Sequence, residues 1–95
     1  DDLYEWSKEA YGPGMRTKGI IDHIKKELAE IEKDPTDLEE WIDVILLALN
    51  GAQRLDRGGQ AILDMFYYKC AKNRARTWPD WRTHPEDKAI EHVKQ

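Results

Sequence analysis

Two pairs of carboxylates are the residues of this chain best spaced to do chemistry. Glu27 and Glu30 stand three residues apart, as do Glu40 and Asp43, and residues three apart on a helix are neighbours on one face. Each pair lies at the border of an apolar stripe, on consecutive helical segments that run antiparallel across the short loop at Asp34 and Pro35. A carboxylate at the edge of a core is costly unless something neutralises it, and four on neighbouring helices repel one another unless divalent cations lie between them. Oxygen ligands without histidine or thiolate favour Mg²⁺ or Mn²⁺, ions that also bind phosphates. The competing reading is a solvated helix face, the usual situation of a single helical Glu. The Glu-x-x-His motif of di-iron bundles does not occur, which argues against oxygen activation.

Other polar residues fall where they could serve such a site. His23 precedes Glu27 by one turn, placed for a catalytic part, for a contact to a ligating carboxylate, or simply for a satisfied hydrogen bond. Lys69, Asn73 and Arg76 recur at spacings of four and three. They either complement a helix C-terminus or bind phosphate or sugar oxygens. Arg76, Trp78, Trp81 and Arg82 alternate cations with indoles, which suits a stacking platform or a cation–π latch. Trp81 reads better as a cap over the core, while Trp78 is open to both roles. A purine pocket needs an apolar or aromatic slot with a few fixed polar groups, and the N-terminal third supplies Trp6, Tyr11, Arg16, Ile20 and His23 as candidates.

The elements that position these residues are helical. Leu3, Tyr4, Trp6, Ala10 and Tyr11 predict a short amphipathic helix that stops at Gly12, Pro13 and Gly14. A second helix is predicted from Thr17 to about Lys33, with Ile20, Ile24, Leu28 and Ile31 as its stripe, Glu27 at the margin, and Glu30 and His23 just beyond. Thr36 followed by Glu39 reads as a capping box opening a third helix to about Arg54. Over residues 41–49 that helix is apolar nearly all round, with Trp41, Val44 and Ala48 on one side and Ile42, Leu46 and Leu49 on the other, so both sides must be covered. In so short a chain one cover is expected to be a second subunit. A turn over residues 56–59 leads into a helix from about Gln60, carrying Ile62, Met65 and Phe66 ahead of Lys69, Asn73 and Arg76, and Pro79 lies beyond its end. Thr83 with Glu86, and Pro85 in the first turn, predict a short closing helix through Ala89, Ile90 and Val93. No strand of period two, internal repeat or low-complexity tract is present. The class is all-α, a bundle of about four to five helices completed by oligomerisation.

At 95 residues the chain is expected to form one domain, residues 1–95, and a fold of that size buries only about 60 to 65% of the surface its unfolded chain exposes. A hydrophobic fraction of 40% beside 36% charged residues predicts a soluble helical protein rather than a disordered one. No apolar run approaches the roughly 18 residues that a membrane span needs. The formal net charge of −4 argues against a general nucleic-acid binder, whose affinity comes mainly from cations. The bases are uneven, with Lys69, Lys72, Arg74, Arg76 and Arg82 gathered in the last third. A lone cysteine, Cys70, excludes an internal disulfide, fits a reducing compartment and reads as a packing residue. The first residue is Asp1 rather than methionine, which fits a trimmed leader, and no secretory h-region is visible.

Taken together, His23, Glu27-x-x-Glu30, Glu40-x-x-Asp43, Lys69, Asn73 and residues 73–80 (Asn-Arg-Ala-Arg-Thr-Trp-Pro-Asp) resemble the MazG-like all-α nucleoside triphosphate pyrophosphohydrolases. The nearest similarity is to the small dATP/dGTP pyrophosphohydrolases, some of them phage-encoded, and it extends from Trp6 to about Val93. One departure stands out, because Lys26 precedes Glu27 where the broad superfamily often has a second acid. The resemblance implies that Glu27, Glu30, Glu40 and Asp43 hold two or more Mg²⁺ ions, with Mn²⁺ able to substitute, and that Lys69 and Asn73 contact phosphate or sugar. Arg76, Trp78, His23 and Arg16 are the further substrate-binding candidates. It also implies cleavage between the α and β phosphates of purine deoxynucleotides, dimers or tetramers, and the cytoplasm of a bacterium or an infected host. Glu27 or Glu30 could take the proton from the attacking water. Two other readings stand beside this one: a pyrimidine (dUTP- or dCTP-type) pyrophosphohydrolase, and a non-catalytic helical oligomerisation module.

Overall fold

The computed structural model describes residues 2–55 and 58–94. Among them the chain is helical throughout and has no strand, with α1 (Asp2–Tyr11), α2 (Thr17–Lys33), α3 (Leu38–Gln53), α4 (Gly59–Ala75) and a 3₁₀ helix (Trp81–Thr83). The expected all-α class is borne out. The expected turn over residues 56–59 lies, at residues 56 and 57, outside the described residues. The chain divides into two compact units, Asp1–Ile62 and Leu63–Gln95.

In the first unit α1 and α2 both pack on α3. Ile20 and Ile31 of α2 and Leu47 of α3 are the buried apolar residues among those described, each 7% exposed. The breakers at residues 12–14 work as expected: Gly12 and Gly14 take φ of 91° and 86°, a region that glycine enters at little cost. The cap of α3 lies one residue later than the capping box predicts. Asp37 is the N-cap, its Oδ1 accepting from the Glu39 N–H at 3.0 Å, while Thr36 Oγ1 donates to Asp34 Oδ1 at 3.1 Å. A charged carboxylate satisfies the first turn and also complements the positive end of the helix. The two-sided grease of α3 is real, since Leu47 is buried while Trp41, Ile42, Ile45 and Leu46 are between 41 and 58% exposed.

The second unit departs further from expectation. The closing helix does not form, and residues 84–94 contain no helix. Thr83 Oγ1 donates back to the Asp80 carbonyl at 2.7 Å instead of capping forward, and Val93 N–H donates to the Thr77 carbonyl at 2.7 Å. Three apolar residues cannot hold so short a helix, because isolated helices below about 12 to 15 residues are marginal. Trp81 is not a core cap either. It is exposed, with the Arg82 guanidinium 4.9 Å from its ring centroid. Cys70 is half-buried.

Candidate active site

Helix α2 turns Glu27 inward. At about 100° per residue Glu27 lies within roughly 40° of both Ile20 and Ile31, the two buried residues of that helix. Its side chain is only 20% exposed, whereas the neighbouring Leu28 is 44% exposed. The stripe therefore runs through Glu27 rather than Leu28, and what the apolar pattern places at the margin is a core position occupied by an acid. Facing it, α3 presents Glu40 and Asp43, one turn apart and half-buried. One carboxylate oxygen from each of Glu27, Glu40 and Asp43 lies within 4.8 Å of the others.

Three like charges at that spacing strain the site's electrostatics. The Glu40 carboxyl is held above its usual range, first by partial burial, then by a hydrogen bond to Glu27 and by repulsion from Glu27, Asp43 and Asp37. Neither Glu40 nor Asp43 has a Lys or Arg partner among the described residues. A half-buried, all-oxygen donor set with excess negative charge fits a hard divalent cation, so the chemistry of these residues agrees with the expected cofactor class.

The structure brings together three of the four expected acids. Glu30 is exposed and lies outside the cluster, its carboxylate 3.9 Å from Lys33 Nζ. Lys26, which stands where an adjacent acid might be sought, pairs with Asp22 at 3.4 Å. His23 Nε2 approaches Glu27 Oε1 at 3.4 Å, the carboxylate-contact option among its three expected roles.

His23 also joins the cluster to a pocket. A cavity of about 260 Å³ is lined by Ala10, Tyr11, Arg16, Gly19, Ile20, His23 and Leu47. Tyr11 meets His23 edge to face at 6.1 Å and Trp6 at 5.6 Å. Of the purine-pocket candidates, Tyr11, Arg16, Ile20 and His23 line the cavity, and Trp6 buttresses it through Tyr11. Leu47, one turn beyond Asp43, and Gly19 are lining residues that the sequence pattern does not mark. One a bare backbone and the other plain aliphatic, they carry no chemical signature.

In the second unit, Arg76 Nη1 donates to Asn73 Oδ1 at 3.1 Å, and Trp78 Nε1 donates to the Asn73 carbonyl at 2.7 Å. Trp78 also packs edge to face on His92 at 5.9 Å. Asn73, Arg76 and Trp78 thus form one polar knot at the end of α4, and Lys69 is exposed on the same helix.

Sequence reasoning missed Arg54. Only 5% exposed, its guanidinium donates to the carbonyls of Ser7 (2.9 Å), Gly12 (2.6 Å) and Gly14 (2.9 Å) and to Ser7 Oγ (3.4 Å). It pins α1 and the glycine turn that leads to Arg16. A terminal Arg just after an apolar helix looks like a dipole complement, so nothing in the local pattern points to it. Asn50, one turn before it, is equally buried, and its amide has no partner among the described residues.

The family described as dATP/dGTP pyrophosphohydrolase matches residues 1–95, in agreement with the resemblance carried by the acidic pairs. Searches of curated proteins and of solved structures returned no match. Among the described residues no helix is long and apolar enough to cross a membrane. A match over the whole chain, on a helical frame that gathers three carboxylates beside a base-sized cavity, settles the kinship: this protein belongs to the dATP/dGTP pyrophosphohydrolase family and is a nucleoside triphosphate pyrophosphohydrolase.

Proposed function

We propose that the protein hydrolyses dATP and dGTP to the monophosphate and pyrophosphate in a reaction that depends on Mg²⁺, with Mn²⁺ able to substitute. The observation that carries this is the convergence of Glu27, Glu40 and Asp43 within a chain of this family. These three would hold the metal, and Glu30 would complete the set once its exposed pair with Lys33, an interaction of little strength, opens. Bound Mg²⁺ supplies neutralisation of the charge that builds on the leaving pyrophosphate and makes water a better nucleophile.

The chain's own residues do the rest. Phosphoryl transfer needs positioning and charge stabilisation more than covalent help, so no Ser or Cys nucleophile is required. Either Glu27 or Glu30 accepts the proton of the attacking water. His23 orients Glu27 through their 3.4 Å contact, and with Tyr11 and Arg16 it forms the walls of the nucleoside pocket. At about 260 Å³ the cavity falls just below the roughly 300 to 1,000 Å³ of pockets that enclose whole drug-sized ligands, which suits a base rather than a complete nucleotide. Lys69 and Asn73 would contact phosphate or sugar oxygens, with Arg76 and Trp78 as further substrate-binding residues.

Residues 1–95 act as a single domain in this reading. The exposed Trp41, Ile42, Ile45 and Leu46 of α3 are covered by a second copy in a dimer, with a dimer of dimers as the larger form, working in the cytoplasm. Incubation with dATP, dGTP, dCTP and dTTP in Mg²⁺ and then Mn²⁺, with pyrophosphate as the readout, tests the activity. Release from dCTP or dTTP alone would favour the pyrimidine alternative, and release from none would leave the oligomerisation module. Light scattering after gel filtration tests the assembly, and a monomer at micromolar concentration would refute it.

A further inference from the structure

Arg16 is the cation of the cavity. Among the described residues its guanidinium makes no hydrogen bond or ion pair. Among the described residues it is also the non-glycine residue with a positive φ, 20°, immediately before α2. Such backbone outliers persist where the surroundings over-determine them, and they gather at ligand sites. Here the turn is fixed from behind by Arg54, which holds the carbonyls of Gly12 and Gly14. The guanidinium folds over Gly19, with Nη2 3.9 Å from where a Cβ of that glycine would stand. An exposed guanidinium with no side-chain partner among the described residues thus borders a pocket that already has aromatic and aliphatic walls.

The pocket lies at a useful distance from the acids. Gly19 and Glu27 are eight residues apart on α2, about 12 Å along the axis, comparable to the span from a base to the first phosphates of a nucleotide. With phosphates at the carboxylates, the base reaches Arg16. A guanidinium has donors only, arranged in a fork. Guanine presents two adjacent acceptors, O6 and N7, to such a fork. Adenine presents N7 beside the N6 amino group, so one hydrogen bond is lost and donor faces donor.

We propose that Arg16 makes this pocket select guanine over adenine by donating to O6 and N7 of the base, so that dGTP is the preferred of the two purine substrates. The inference rests on the cavity being the nucleoside site. Its test uses two readouts. Titration calorimetry with the α,β-methylene analogues of dGTP and dATP in Mg²⁺ reads base selection without hydrolysis, and pyrophosphate release from dGTP, dITP, 7-deaza-dGTP and dATP reads kcat/KM. The expected preference for the guanine analogue is roughly ten- to a hundred-fold, the size of one bidentate contact. dITP, which keeps O6 and N7 but lacks the 2-amino group, matches dGTP, while 7-deaza-dGTP falls toward dATP. Arg16→Gln shifts selection toward adenine, since an amide pairs with N7 and the N6 amino group, and Arg16→Lys keeps the charge but loses most of the preference.

Equal binding of the two analogues by the unaltered protein, or binding of neither, overturns the proposal. So does an Arg16→Gln loss that is the same for all four nucleotides, which would place the guanidinium on phosphate. Guanine-selective binding without pyrophosphate release would sink the hydrolase reading and leave the base selection standing. Release with no base preference would do the reverse.

Discussion

The two ends of α3 solve the problem of buried charge in opposite ways. At its C-terminal end Arg54 is almost fully buried, yet four donated hydrogen bonds to Ser7, Gly12 and Gly14 satisfy most of its guanidinium. At its N-terminal end Glu40 and Asp43 are only half-buried and are left facing a third acid, Glu27. A buried cation saturated by backbone oxygens is part of the scaffold, because charge-assisted hydrogen bonds offset its desolvation. Acids that face one another, with the Glu40 pKa raised by burial and then by its acidic neighbours, are unfinished as a structure, and under the proposed function a cation would complete them. In this reading one helix separates holding the fold from the proposed chemistry by the sign of its charges and by whether each finds a partner within the chain.

Removing the guanidinium is the largest perturbation. Arg54→Met leaves three buried or half-buried carbonyls without their donor, and the loss of a buried charge's partners typically costs about 3 to 5 kcal/mol. For a chain of this length that lowers Tm by roughly 15 °C or more. Arg54→Lys rescues little, since one ammonium cannot span three divergent acceptors. Thermal unfolding followed by circular dichroism checks both, and a Tm within a few degrees of the unaltered protein would break the contrast between the two ends.

Glu40→Gln and Asp43→Asn act on the other end and with the other signature. Turnover of dGTP should fall by roughly a hundred-fold or more, as expected when a metal ligand is lost, while the metal-free fold is unchanged or slightly more stable. Pyrophosphate release and Tm measured on the same samples decide it. A loss of Tm parallel to that of Arg54→Met would mean that these acids are structural.

The sequence already held the all-α class and the helical bounds near residues 17 and 33, because breakers, caps and period punctuate them. It held the acids too, although reading Leu28 into the stripe moved Glu27 to the margin when its angular position between Ile20 and Ile31 made it central. Glu30 shares the spacing of Glu27 but not its inward direction, a distinction that i,i+3 counting does not make. The closing helix failed because a capping signature at Thr83 and Glu86 carries no information about whether a core exists to receive Ala89, Ile90 and Val93. Arg54 was invisible for a different reason: its partners are backbone carbonyls more than 40 residues away, and a carbonyl has no residue type.

Divalent cation should reverse the acidic end's effect on stability. Glu40 has a raised pKa in the fold, so the folded protein holds that proton more tightly than the unfolded chain does. The penalty is absent below the ordinary carboxylate pKa, grows as pH rises toward the folded value, and is fully present above it. Without metal, stability contributed by this group therefore rises as pH is lowered from 7 toward the carboxylate range, and Glu40→Gln flattens the trend. With Mg²⁺ at ten times its Kd the fold gains about 1.4 kcal/mol at pH 7, and the slope shrinks because the cation takes the proton's place. Urea midpoints across pH, with Mg²⁺ and with EDTA, read both effects. A slope that Mg²⁺ leaves untouched would mean that no ion sits among these acids.

The smallest expected effect separates an exposed pair from both ends of α3. Glu30 and Lys33 meet at 3.9 Å with both side chains largely in water, where such pairs contribute at most about 1 kcal/mol. Lys33→Ala should accordingly shift Tm by only a few degrees and leave dGTP turnover undiminished, since it frees the Glu30 carboxylate rather than removing it. Glu30→Gln should likewise spare Tm but lower turnover, which distinguishes a working acid outside the cluster from a surface charge. If both substitutions leave turnover unchanged, Glu30 drops out of the ligand set and Glu27 is the proton acceptor by default.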